Sequence, residues 1–449
     1  VKKSIGFSLA RMRRVDILMG VLAVAYAFFW LVNLEISRSA EILLLLSFLF
    51  SWVGESDRAT KYSWIFLLLV AFVVLQISVH QFSVARFPAD DSITSERHYT
   101  KLFLCLMIAW WVKGSSSRAL TILIATLAGF WVSLIWQGDW QSWWAGVQGK
   151  RVDFDYHNAQ HTSVYFGWAL IAALTWLGHL VSSHGRAWQL SLSVLLSLVA
   201  LVGVIVTQTR GVWLALAVVF VLIAPYLCYR LFRVHHGKAT KPRTLFVMVA
   251  IVMAFLAFGA TQFDRLIEKR LDKEASVMQT AAELDWDSIP YSSIGIRLHT
   301  WRYALEKIAE RPLTGWGADS RKYLIDEGPF PQAIRDRFGH FHNSYIEITL
   351  AYGLIGLTIL GILCGAMWEG VRQAYKRGHR YLATGLACSF VFFAIANLTE
   401  SYFIFRTGIY FVTIVGGCAL SFYLFRPHVK GTEIASPDAE LVDHGQGES

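Results

Sequence analysis

Charge is scarce in this chain. Asp, Glu, Lys and Arg make up 16% of its 449 residues, while 55% are hydrophobic, 14% are aromatic and the mean hydropathy is +0.45. A water-soluble domain carries about a quarter charged residues and keeps its apolar runs short. The composition therefore excludes a soluble globular monomer and describes a polytopic membrane protein. Cysteine is scarce too: Cys105, Cys228, Cys364, Cys388 and Cys418 all lie in or at the ends of apolar runs, with no CxxC pair. Neither a disulfide framework nor a zinc cage follows from them. No P-loop or dinucleotide fingerprint is present, so no nucleotide site is expected. The absence of a convincing internal repeat weighs against a transporter built from two inverted halves.

What is present is a series of apolar runs. A helix crossing a hydrocarbon core of about 30 Å needs about 20 mostly apolar residues. Qualifying runs begin near Ile17, Ala40, Ser63, Leu102, Ala119, Ser163, Ala187, Gly211, Leu245, Tyr345, Tyr381 and Gly408, which makes about twelve spans, those from Ala40 and Leu102 being the shortest. Lys plus Arg number 41 against 32 Asp plus Glu, a net charge of +9. Most of the basic residues sit in short loops (RMRR, Arg58 and Lys61, Lys113 and Arg118, Arg186, RLFRVHHGKATKPR, VRQAYKRGHR). That is the positive-inside signal of topology rather than a nucleic-acid patch, and it puts both termini in the cytoplasm. The run behind Arg11, Arg13 and Arg14 has no small-residue cleavage site and reads as a retained first span.

The expected plan is all-α. Residues 1–263 form transmembrane helices 1–9, residues 264–343 a large helical outside loop, residues 344–426 helices 10–12, and residues 427–449 a disordered cytoplasmic tail. A loop of that length must be a folded functional element, and IRLHTWRYALEKIAE within it has helical periodicity.

Ionisable residues in or beside spans are costly and default to functional hypotheses. Arg210, in TQTRGVW, interrupts the apolar stretch from Ala187 to Phe232. It sits in a tight turn near the outer interface, as a functional cation or as a snorkelling residue that marks a helix end. In HFHNSYIE, Ser344 followed by Glu347 has the form of a capping box, so a helix should start at Ser344 with His340, His342 and Asn343 just before it. The positive end of that helix disfavours imidazolium, which makes a neighbouring histidine a proton acceptor. The HxH spacing also permits a metal, but the loop offers no recognisable third and fourth ligand. Arg297, Trp301 and Leu305 share one helix face, and PLTGWG ends that helix. An arginine beside a tryptophan at a membrane surface suits a lipid headgroup or a diphosphate, because the guanidinium fork pairs with phosphate oxygens in bidentate fashion.

Other features are less directed. Trp136, Trp140, Trp143 and Trp144 in residues 136–161 read as an interfacial aromatic belt or a sugar-stacking surface. Asn397, Glu400 and Arg406 flank the last outside turn, with Glu400 orienting an arginine or pairing with Arg406. The sequon Asn397-Leu398-Thr399 sits at a span end and reads as a coincidence.

TRGVWL around Arg210, IRLHTWRYAL with RPLTGWG around Arg297, and HFHNSYIEITLAYGLIGL around His342 together resemble the bacterial O-antigen ligase family, whose superfamily includes O-antigen polymerases and O-oligosaccharyltransferases. The resemblance runs from about the seventh span to the tenth. It implies a GT-C-like inner-membrane glycosyltransferase that moves a glycan from undecaprenyl pyrophosphate to a hydroxyl of the lipid A core on the periplasmic face. By that resemblance Arg210 and Arg297 bind the pyrophosphate and His342 is the catalytic histidine; Trp301, His340 and Asn343, neighbours of those residues, are candidate substrate-binding residues. The expected partners are the donor, the acceptor and membrane lipids, with no nucleotide, nucleic acid, metal or other cofactor. Diphosphate is already a good leaving group, so no carboxylic acid is needed to protonate it as in a glycosidase. A base near neutrality and positive groups at the leaving oxygens suffice. A polymerase or a protein transferase would use the same donor and residues, and a lipid-linked glycan transporter would account for the spans and the arginines.

Overall fold

The computed structural model describes residues 2–54, 63–86, 97–136, 140–156, 158–183, 185–235, 286–318 and 320–425, and no strand occurs among them. In chain order the helices are α1 (Lys2–Val32), α2 (Leu34–Gly54), α3 (Ser63–Arg86), α4 (Cys105–Val112), α5 (Ser116–Trp136), α6 (Trp140–Val147), α7 (Ala159–Ser182), α8 (Ala187–Val206) and α9 (Arg210–His235). They continue with α10 (Ser293–Glu310), α11 (Ser320–Asp326), α12 (Gln332–Arg337), α13 (Ser344–Lys376), α14 (Arg380–Ala396) and α15 (Arg406–Leu424). Eight of them, α1, α2, α3, α5, α7, α8, α13 and α15, are long and apolar enough to cross a membrane. Shorter apolar helices at Lys101–Val112, Arg210–Ile223 and Arg380–Ala396 coincide with three more of the expected runs. The run from Leu245, the first part of the expected outside loop and the tail lie outside the described residues.

Two short runs turn out differently from each other. The second is extended backwards to Leu34 because Asn33 caps it, its Oδ1 accepting from the Glu35 and Ile36 amides at 3.1 Å each. Charged residues on that first turn hid the helix start from a hydropathy reading. The fourth stays short, and every residue of α4 is buried. At about 1.5 Å per residue it falls well below a hydrocarbon crossing and serves as a core helix.

The core is built around α15, which is almost wholly buried. Trp30 of α1 stacks on Tyr410 with centroids 4.3 Å apart and donates its indole N–H to the Tyr165 hydroxyl at 3.2 Å. At the opposite end of α1, Arg118 makes two bonds to Asp16, at 3.1 and 2.7 Å.

The feature that positions the site is a break in α13. Gly353 has φ 62° and ψ −164°, so helical bonding fails there, and bare peptide groups inside an apolar bundle are costly. The RPLTGWG turn supplies their partners. The Trp316 and Gly317 amides donate to the Leu350 and Ala351 carbonyls at 2.8 and 2.9 Å, while the Leu354 and Ile355 amides donate to Pro312 and Leu313 at 2.8 and 3.2 Å. A Cβ on Gly353 would sit 2.2 Å from Leu313 backbone atoms, so only glycine allows this approach.

Two further contacts gather loops at the same end of the bundle. A Cβ on Gly211 would meet Thr399 Oγ1 at 2.0 Å, so the start of α9 packs directly on the turn after α14. Residues 149–152 lie along the α8–α9 turn, where the Val152 amide donates to Val206 at 3.4 Å and Gln208 Nε2 to Gly149 at 2.8 Å.

Candidate functional site

His342 stands just before α13 with φ 53°, a left-handed conformation that is uncommon for a residue with a Cβ. Such strain persists only where surrounding groups hold it. Trp301 donates its indole N–H to the Phe341 carbonyl at 2.7 Å, and the Phe341 amide donates to the Glu347 carboxylate at 2.5 Å. The Asn343 amide donates to Ser401 Oγ at 3.1 Å. The loop carrying His342 is thus fixed to α10, to α13 and to the turn after α14.

The expected start of α13 at Ser344 is observed, but the capping box is replaced. Asn343 is the cap, its Oδ1 accepting from the Tyr345 and Ile346 amides at 3.0 and 3.2 Å. Ser344 Oγ instead donates to Asn397 Oδ1 at 2.5 Å, and Glu347 accepts from Phe341 and from Ser401 Oγ at 3.2 Å. Long-range partners outcompete the local box because both groups are fully buried and cannot turn to water. Asn397 is buried as well, which leaves its sequon inaccessible.

Glu400, 58 residues further on, is the partner of the His342 ring: Nδ1 lies 3.1 Å from Oε1 and 3.3 Å from Oε2. Burial alone would raise the Glu400 pKa, but the hydrogen bond and charge of His342, the charge of His340 and the Ser401 amide hold it down to about 2. An ionised carboxylate only accepts, so the Nδ1 of His342 is the donor in this pair. The pairing of Glu400 with Arg406, one of the two alternatives open to it, does not occur. Arg406 is exposed, and the histidines claim the acid instead.

His340 Nδ1 accepts the His342 amide at 3.3 Å and lies 3.5 Å from Glu400 Oε1. Burial, then the neighbouring charge of His342, lowers its pKa to about 3, outweighing the attraction of Glu400. His340 is held neutral. Its ring also meets Phe405, at 5.4 Å, and Phe405 meets His161 at 4.9 Å. His161 in turn sets its Nδ1 2.7 Å from Thr407 Oγ1.

Ligand atoms of His340, His342 and Glu400 fall within 4.8 Å of one another, a set of the kind that zinc takes. Glu400 is therefore the third group that the loop itself did not offer. In this structure the same atoms are engaged in hydrogen bonds: His340 Nδ1 accepts a backbone amide, Glu400 Oε1 accepts the Ser401 amide at 3.0 Å, and His342 Nδ1 pairs with Glu400.

Arg297, on α10, is partly buried. Burial lowers its pKa; the negative charge of Glu400 and the Tyr402 hydroxyl oppose this, and the charges of Arg210 and Arg151 reinforce it. Since an arginine stays protonated, the direction reports chiefly the burial of a cation. Arg210 begins α9 at the head of the turn that packs on Thr399. Arg210, Arg297, His342, His340, Asn343 and Trp301 thus come to one end of the bundle. Trp301 serves there as a hydrogen-bond brace for the histidine loop.

Three groups were not read as site members from sequence: Glu400 as the partner of histidine, His161 and Arg151. An acid at a span end was the available signal for Glu400, while His161 and Arg151 carried none.

Among the described residues, an all-helical bundle with eight helices long and apolar enough to cross a membrane has the architecture of an integral membrane protein, with a part-buried histidine–carboxylate pair at one end. Residues 195–361 match the protein-family model described as O-antigen ligase, which supports the family that the motifs resemble. The matched segment contains Arg210, Arg297 and His342, whereas Arg151, His161 and Glu400 lie outside it. No curated protein matches the chain.

Proposed function

We propose that the protein is an O-antigen ligase, a metal-independent inverting glycosyltransferase. It moves a glycan from undecaprenyl pyrophosphate to a hydroxyl of the lipid A core, on the periplasmic side of an inner membrane. The observation that carries the reading is the His342–Glu400 pair set beside Arg297 and Arg210. Nε2 of His342 takes the acceptor hydroxyl's proton as its oxygen attacks the anomeric carbon, and the carbon–oxygen bond to diphosphate breaks with inversion. Glu400 fixes the tautomer and stabilises the imidazolium formed. The arginines take up charge on the departing diphosphate, which a preorganised cationic site does without reorganising. His340, held neutral, adds no competing positive charge beside the base.

Discontinuous helices also occur in transporters, but the backbone groups opened by the break in α13 are filled by the 312–317 turn. That favours a static brace over a transport site. The test is reconstitution in EDTA without nucleotide, offering the donor with lipid A core, with a second lipid-linked glycan or with a hydroxyl-bearing protein. Glycan on the core supports the ligase. Glycan joined to glycan or to protein moves the protein to a polymerase or a protein transferase, and glycan movement across the vesicle without transfer moves it to transport.

A further inference from the structure

Left-handed backbone at a residue with a Cβ persists where its neighbours are held, and the residues on either side of His342 share one anchor. Glu347, fully buried in the first turn of α13, accepts the Phe341 amide on Oε1 at 2.5 Å. The same oxygen accepts the Ser401 hydroxyl at 3.2 Å, and Ser401 Oγ in turn accepts the Asn343 amide at 3.1 Å. The grip on Phe341 is therefore direct, and the grip on Asn343 passes through one hydroxyl. Ser401 is fully buried too, and its amide donates to Glu400 Oε1 at 3.0 Å. Glu400 holds the His342 ring. Two buried carboxylates from different elements thus meet at Ser401, one fixing the backbone around His342 and the other its imidazole.

The second oxygen of Glu347 faces a cation. Arg321 Nε lies 3.8 Å from Oε2, on a side chain only 12% exposed. Arg321 belongs to α11, and its Nε donates to the Ala318 carbonyl at 3.0 Å, directly after the turn that fills the break in α13. At 3.8 Å the two groups form an ion pair without a hydrogen bond. Neither Oε2 nor Arg321 Nη1 has a hydrogen-bond partner among the described residues. Oε1 therefore does the holding through directed bonds, while Oε2 supplies the counter-charge that a buried guanidinium requires.

We infer that Glu347 is a positioning residue for the proposed transfer, with Ser401 as its relay and Arg321 as its counter-charge. The inference rests on His342 being the base of the function proposed above. Glu347 touches no substrate; it sets where the imidazole stands. A base displaced by about 1 Å loses about 100-fold in rate. Arg210 and Arg297 stand on α9 and α10, which this anchor does not bond, so its loss should fall on the chemical step rather than on the donor.

Four variants separate the roles. Ser401→Ala removes only the grip on Asn343, and Glu347→Leu removes both grips. Glu347→Gln can keep an oxygen in place of Oε1 but turns an amide nitrogen toward Arg321, and adding Arg321→Met removes the cation that this nitrogen would face. The transfer rate to lipid A core, the binding of an undecaprenyl pyrophosphate glycan and the melting temperature are measured on the same detergent-purified full chain. The anchor predicts that Ser401→Ala lowers kcat about 3- to 10-fold and Glu347→Leu about 100-fold, with donor Kd within about twofold of wild type. Glu347→Gln combined with Arg321→Met should recover most of the kcat lost in Glu347→Leu, since an acceptor is restored and no buried charge is left unpaired. Wild-type kcat in both Ser401→Ala and Glu347→Leu overturns the inference. So does a loss of kcat that only follows melting temperature and donor binding across the set, because Glu347 then supports the fold alone. Wild-type protein that binds the donor but transfers no glycan removes the proposed function, and this inference with it.

Discussion

At the scale of single residues, the site depends on groups kept in unusual states by their neighbours. Glu400 stays ionised although buried, because His342 and the Ser401 amide hold its pKa at about 2. Replacing it with Gln removes the charge that supports an imidazolium, and the transfer rate should fall by about 10- to 100-fold with little change in donor KM. Initial rates at saturating and limiting donor check this; an unchanged kcat would show that Glu400 is only structural. His340 gives a separate test through stability. Its folded pKa of about 3 lies below the ordinary 6.5, so the unfolded chain binds the extra proton between those values. The contribution is complete above pH 6.5 and is lost as the pH falls toward 3. On going from pH 7 to pH 5 this one group should cost the wild type about 2 kcal/mol of stability. His340→Asn should lose correspondingly less in thermal unfolding at the two pH values. A variant with the same acid sensitivity as wild type would contradict the burial assigned to His340.

At the scale of elements, the broken helix α13 and the turn that fills its break decide where Arg297 stands relative to His342. Gly353→Ala forces a side chain into the Leu313 backbone and into a left-handed conformation. It should destabilise the fold by at least about 2 kcal/mol and lower activity with it, measurable as a drop in the melting temperature of the detergent-purified protein. Trp301→Phe keeps a ring of similar shape but removes the bond to Phe341. It should cost about 1 kcal/mol and lower kcat more than donor affinity. Activity equal to wild type would show that the indole N–H does not position the histidine loop. At this scale the sequence was most legible. Long apolar runs announced α7, α8 and α13, the periodicity of IRLHTWRYALEKIAE announced α10, and the start of α13 at Ser344 was read at the right residue. The cap itself was not, because Asn343, Asn397 and Ser401 settle it through contacts that no local pattern encodes. The shortness of the fourth run was visible, but its burial on all sides depends on how neighbouring helices pack.

At the scale of the whole molecule, long stretches of hydrophobic bundle bring together three loops that are distant in sequence. The close approaches at Gly211 and Gly353 and the bonds between residues 149–152 and the α8–α9 turn set their mutual positions. Arg210, Arg297 and His342 could each be singled out in sequence as an ionisable group beside a span. The partnership of His342 with Glu400 could not, since those residues are 58 apart and meet only when α13 and α14 pack side by side. The same packing leaves Arg406 outside and brings His161 and Phe405 behind His340. The central claim is that this end of the bundle transfers a glycan by base catalysis at His342, without a metal. Its most direct test is the rate of glycan transfer to lipid A core by wild-type protein and His342→Ala in EDTA, with donor binding measured on the same samples. The account predicts normal transfer by the wild type and a loss of about 10²- to 10⁴-fold in the variant, with donor binding retained. Transfer by His342→Ala at the wild-type rate, or transfer by the wild type only when a divalent metal is restored, would contradict it.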